Sequence, residues 1–86
     1  MAGVQVLYFA WLRERAGRSE EHVALPPGVA TVGALVEHLA GLDDAHRAAF
    51  EHASLVRAAV NQEFAAHDAP IADGDEVAFF PPVTGG

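Results

Sequence analysis

With 86 residues, 51% of them hydrophobic and 20% charged, the chain has the composition of one compact globular domain with a single core, not of a disordered segment. Twelve acidic against five basic residues give a formal charge of −7, which argues against phosphate backbones and anionic lipid as partners and favours a basic protein surface. Cysteine is absent, so disulfides, thiolate metal sites and cysteine nucleophiles are excluded.

Val4 to Ala10 reads as a strand, apolar on both faces except at Gln5. Trp11 to Ala16 forms a short helical turn closed by Gly17, and Ser19 to Leu25 alternates as a second strand, giving an N-terminal hairpin with a long connection. Pro26-Pro27-Gly28 breaks the chain. Thr31 then caps a helix with Val32, Leu35, Val36 and Leu39 on one face, and Gly41 stops it. Asp43-Asp44 introduces a second, shorter helix over Ala45 to His52, with Phe50 as its large apolar anchor. Val56 to Val60 is a strand, Asn61-Gln62 a turn and Glu63 to Ala66 a brief strand. Asp73-Gly74-Asp75 turns the chain into the last strand, Glu76 to Phe80.

This order describes an α+β roll of the ubiquitin type, a β-grasp, with a mixed sheet, one main helix and a second short helix. Residues 1–80 make the domain and 81–86 an extended tail. Strand alternation assigns Val4, Val6, Val77 and Phe79 to the core. It leaves Leu7, Phe9 and Phe80, with Phe64, as an exposed apolar patch of the kind that marks a protein interface.

The five histidines, His22, His38, His46, His52 and His67, are scattered without metal-ligand spacing and read as solvent-exposed side chains, with no metal site. Asp73-Gly74-Asp75 lacks the twelve-residue calcium pattern and reads as a turn. No apolar run approaches the roughly 20 residues of a membrane span, and the first residues carry no leader pattern, so a cytoplasmic protein is expected.

The chemistry is expected at Gly85-Gly86. Two residues without a Cβ make an end slim enough for a narrow slot, and Pro81 and Pro82 end the sheet and hold Val83 and Thr84 extended. From Pro81 to Gly86 the reach is at most about 20 Å. A terminal carboxylate is a poor electrophile at neutral pH and needs activation, for example as an acyl adenylate that a persulfide or thiol displaces. No phosphate-binding loop is present, so the chain is the substrate of an activating enzyme that uses ATP and Mg, and binds no cofactor itself. All five basic residues are arginine; without lysine, the chain accepts no isopeptide bond on its side chains.

The closing run Asp73-Gly74-Asp75-Glu76-Val77-Ala78-Phe79-Phe80-Pro81-Pro82-Val83-Thr84-Gly85-Gly86 resembles the C-terminus of the molybdopterin synthase small-subunit family, ubiquitin-like sulfur carriers of molybdenum cofactor synthesis. Val6-Leu7-Tyr8-Phe9-Ala10 with Arg13-Glu14, and Ala58-Ala59-Val60-Asn61-Gln62, resemble two further segments in the same order. The resemblance implies adenylation of Gly86 by a ubiquitin-activating-like adenylyltransferase and conversion to a thiocarboxylate by a sulfur donor acting through that enzyme. It further implies insertion of the tail into the large subunit of a heterotetrameric synthase, where sulfur passes to a pterin precursor. Phe9, Phe64 and Phe80 would bind both partners. Tyr8 stands where Phe is also usual, and Trp11 has no evident role. Two alternatives stay open on the residues alone: a protein modifier conjugated through Gly86, and a β-grasp binding module whose tail does no chemistry.

Overall fold

The computed structural model describes residues 2–82. Strand β1 (Val4–Tyr8) leads through helix α1 (Trp11–Ala16) to β2 (Glu20–Val23). Helices α2 (Val32–Ala40) and α3 (Asp44–Ala49) and a 3₁₀ turn (Ala53–Leu55) follow, and then β3 (Arg57–Val60), β4 (Glu63–Ala65) and β5 (Glu76–Phe80). The five strands form one mixed sheet in the order β2-β1-β5-β3-β4. β1 pairs antiparallel with β2 and parallel with β5, and β3 pairs antiparallel with both β4 and β5. The last strand is therefore the centre of the sheet, bonded on both sides.

Alternation along β1 and β5 decides which face is covered. Val4, Val6, Val77 and Phe79 are fully buried and Tyr8 nearly so. They meet Val32, Leu35, Val36 and Leu39 of α2, whose 3.6-residue spacing puts all four on one helix face. Phe50 closes the layer edge-on to Phe79, with ring centroids 5.1 Å apart. Each such apolar side chain contributes about 1.5–3 kcal/mol by leaving water.

Local chemistry sets the element ends. The Thr31 hydroxyl accepts from the Ala34 N–H at 3.1 Å, so replacing Thr31 with Ala should cost about 1 kcal/mol, readable as a lower urea midpoint at unchanged slope. Asp43 caps α3 in the same way, accepting from the His46 N–H at 2.8 Å. Gly41 ends α2 in a right-handed conformation, its N–H bonded back to His38 and Leu39 carbonyls, so this stop does not use glycine's left-handed freedom. Asn61 and Gln62 have φ of 51° and 71°, the mirror-image turn that matches the twist of a two-residue hairpin between β3 and β4.

Three expectations are corrected in detail. β1 stops at Tyr8 and not at Ala10, because Ala10 takes φ 55° and turns the chain into α1. The second short helix covers Asp44–Ala49, with His52 outside it and a separate 3₁₀ turn beyond. The exposed reading of the histidines fails at His46, which is 2% exposed. Trp11, unexplained in the sequence, packs against the core cluster, and the Arg15 guanidinium lies over its ring at 4.8 Å.

His46 is held by charge. Its Nε2 lies 2.6 Å from Glu21 Oε2 and its Nδ1 2.7 Å from Asp43 Oδ1. Ionised carboxylate oxygens only accept, so the arrangement favours the imidazolium, in which both ring nitrogens donate. The Tyr8 hydroxyl donates to the same Glu21 oxygen at 2.6 Å, and Arg18 donates to the other at 3.0 Å. Burial opposes the charge on His46, yet the bonds to Glu21 and Asp43 outweigh it and raise the imidazole above its ordinary pKa. The same cluster stitches β1, β2 and α3 together across 25 residues between Glu21 and His46.

Candidate functional site

Residues that point away from the helices form the open face of the sheet. Register places them in rows. Glu20, Leu7, Ala78, Ala59 and Phe64 align across β2, β1, β5, β3 and β4. Arg57 pairs with Phe80 in the next row toward the C-terminal end of β5, and Phe9 follows β1 on the same side. Small alanines occupy the middle and large apolar groups the rim, so the face offers a shallow apolar floor with raised edges.

The expected patch residues are brought together on this face, to different degrees. Phe64 is 83% exposed and Phe9 49%, far more than buried aromatic groups tolerate, whereas Leu7 and Phe80 are half-buried. Phe64 and Phe80 tilt toward each other with ring centroids 5.8 Å apart. Between them lies a groove of about 400 Å³ bounded by Arg57, Phe64, Ala66, Phe80 and Pro82.

The tail roots beside that groove. β5 ends at Phe80, and Pro81 and Pro82 follow outside the sheet, as a residue without an N–H requires. The strand before the root is bonded on both sides, since β5 is the central strand, and the Phe9 N–H reaches across to the Phe79 carbonyl at 3.1 Å. The expected tail residues Val83, Thr84, Gly85 and Gly86 lie outside the described residues.

The Asp73-Gly74-Asp75 run is a turn, with Gly74 at φ 95°. Asp73 accepts from the Gly3 N–H at 2.8 Å, and Asp75 accepts from Ala72 N–H and Asn61 Nδ2 at 2.9 and 3.0 Å. Those bonds, the Asn61 side chain's first and the Ala72 amide's next, keep the Asp75 carboxyl below its ordinary pKa. Both carboxylates are thus spent on fixing the entry to β5, and with it the position of the tail root. The imidazolium cluster around His46 is the feature that sequence reasoning missed. Its only local signal is Asp43 three residues before His46, while Glu21 arrives from a distant strand.

An open apolar sheet face with a chain end issuing from the central strand defines a ubiquitin-type β-grasp domain. The chain belongs to the ThiS family, whose model matches residues 6–86. It is 48% identical over 83 residues to the molybdopterin synthase sulfur carrier subunit of Escherichia coli (strain K12), covering 96% of this chain and 99% of that one. The protein of the same description from Mycobacterium tuberculosis (strain ATCC 25618 / H37Rv) is 39% identical over 87 residues, covering both chains fully. Among solved structures, small archaeal modifier protein 1 of Haloferax volcanii superposes with a TM-score of 0.76 at 35% identity, covering 96% of this chain and 100% of that one.

Proposed function

We propose that the chain is the sulfur carrier subunit of a cytoplasmic molybdopterin synthase, a sulfurtransferase whose catalytic pocket belongs to the large subunit. The carrying observation is the tail root: a central strand that runs out through Pro81 and Pro82 directly beside an apolar docking face. An activating adenylyltransferase, using ATP and Mg, converts the Gly86 carboxylate to an acyl adenylate. A donor persulfide displaces AMP, and reduction of the resulting acyl disulfide by a thiol leaves a thiocarboxylate. Gly85 and Gly86 then enter the large subunit's pocket, Val83 and Thr84 act as spacers, and the sulfur attacks the pterin precursor. Hydrolysis of the acyl link returns the carboxylate.

Tethering makes the transfer effectively intramolecular and releases no free sulfide. The carrier contributes reach and sulfur. Acid-base groups come from the large subunit.

Reconstitution tests the proposal. The chain, incubated with activating enzyme, ATP, Mg and a sulfur donor, should gain the mass of one sulfur for one oxygen at Gly86. Addition of the large subunit and precursor should then reverse that gain as product forms. An unchanged mass under these conditions would count against the carrier. A second reading, conjugation to lysines of other proteins, is favoured by the likeness to an archaeal modifier protein and would appear as stable adducts in the same mass spectra.

A further inference from the structure

Arg57 is the one arginine on the open face. Of the other four, Arg15, Arg18 and Arg47 make ion pairs with Glu51, Glu21 and Asp44, and Arg13 is exposed on α1, outside the sheet. Among the described residues no carboxylate lies within 4.0 Å of the Arg57 guanidinium, and its side chain makes no hydrogen bond. It is exposed, it stands opposite Phe80 in register, and it lines the groove with Phe64 and Pro82. The rest of this face is neutral or acidic: Glu76 lies at the opposite end of the strands, and Glu20 lies in the middle row on the far edge strand β2. The face therefore has a polar axis, with positive charge where the tail leaves and negative charge at the far end.

A partner that seals the apolar rows also covers Arg57. Removing an unpaired guanidinium from water is costly unless an anion meets it, so the covering surface must supply one. Extended into a partner's pocket, the tail can carry its reacting end up to about 20 Å from Pro81, so the proposed occupant over this guanidinium is a protein carboxylate and not an anionic substrate. We propose that Arg57 is the orientation and specificity element of the docking face, received by an aspartate or glutamate on the protein that accepts the tail. This rests on the reading of the face as the carrier's docking surface. A carboxylate over Arg57, with a basic group over Glu76, permits one docking polarity, the one that aims the tail into the pocket. Rotating the chain end for end would set like charges against each other at both ends.

The test uses calorimetric binding of the full chain to its own large synthase subunit, at low and high salt. Arg57→Ala should weaken binding by about 30-fold and Arg57→Glu by at least about 100-fold, since the first strands a buried carboxylate and the second opposes it with like charge. The salt dependence should be flatter for Arg57→Ala than for the parent chain. Melting temperature should not move, because the guanidinium has no intramolecular partner among the described residues. Phe80→Ala and Phe64→Ala serve as controls for the face itself. If both phenylalanine variants lose binding while both Arg57 variants bind within twofold of the parent, the role of Arg57 is overturned and the docking face stands. If all four bind like the parent, the docking reading itself falls.

Discussion

Deleting Gly86 should abolish sulfur transfer while leaving affinity for the large subunit within twofold of the parent. In the proposed mechanism the two readouts separate because docking and chemistry use different parts of the chain: the apolar face belongs to the sheet, the acyl group to the tail. Loss of one residue shortens the reach by about 3.5 Å, and a displacement of even about 1 Å from reacting geometry can cost on the order of 100-fold. Replacing Gly86 with Ala keeps the length but adds a Cβ and restricts the backbone, so it isolates the slot's width from the tail's reach. Single-turnover product formation and the intact mass of the chain measure the outcome together. A deletion variant that still acquires sulfur and still forms product would remove Gly86 from the mechanism. One that acquires sulfur but forms no product would place the requirement in the large subunit's pocket and not in activation.

The sheet and its two faces were legible because period-two alternation is local: Val4, Val6, Val77 and Phe79 announce their side by spacing alone, and all four are fully buried. The Thr31 cap and the Asp73-Gly74-Asp75 turn were legible for a similar reason, since short polar side chains act on backbone two or three residues away. The end of β1 was not, because nothing in the alanine at position 10 signals a positive φ. The His46 cluster was not either. Glu21 comes from a strand and Asp43 from a helix cap to meet the ring, Tyr8 comes from a second strand to the same Glu21 oxygen, and only the tertiary fold brings them together. The same holds for Arg57, whose proposed role rests on its lacking a partner among the described residues and on its place opposite Phe80, a property of register and not of the neighbouring sequence.

The His46 cluster also carries the second large expectation, a stability that depends on pH in both directions. His46 has its folded pKa raised above the ordinary 6.5, so its contribution is complete below 6.5 and is lost as pH rises through the raised value. Glu21 behaves oppositely. Burial works against its charge, but the bonds from Tyr8 and His46 prevail and lower its pKa below 4.5; its contribution is present above 4.5 and is lost as pH falls through the lowered value. Asp43, lowered from 3.8 chiefly by the His46 backbone N–H and then by its ring, follows Glu21. Urea midpoints should therefore peak between 4.5 and 6.5 and decline on either side. His46→Ala should cost about 3 kcal/mol by leaving Glu21 without its buried counter-ion, a fall in melting temperature on the order of 15 °C. Because that variant risks unfolding, Tyr8→Phe supplies a milder arm: it removes only the hydroxyl bonded to Glu21 and should cost about 1 kcal/mol. The alkaline decline should persist in Tyr8→Phe and vanish in His46→Gln, whose side chain does not titrate. An alkaline decline of equal size in His46→Gln would show that another group governs it. Since Tyr8 leads directly into Phe9, the cluster that sets this pH window also anchors the edge of the open sheet face proposed for docking.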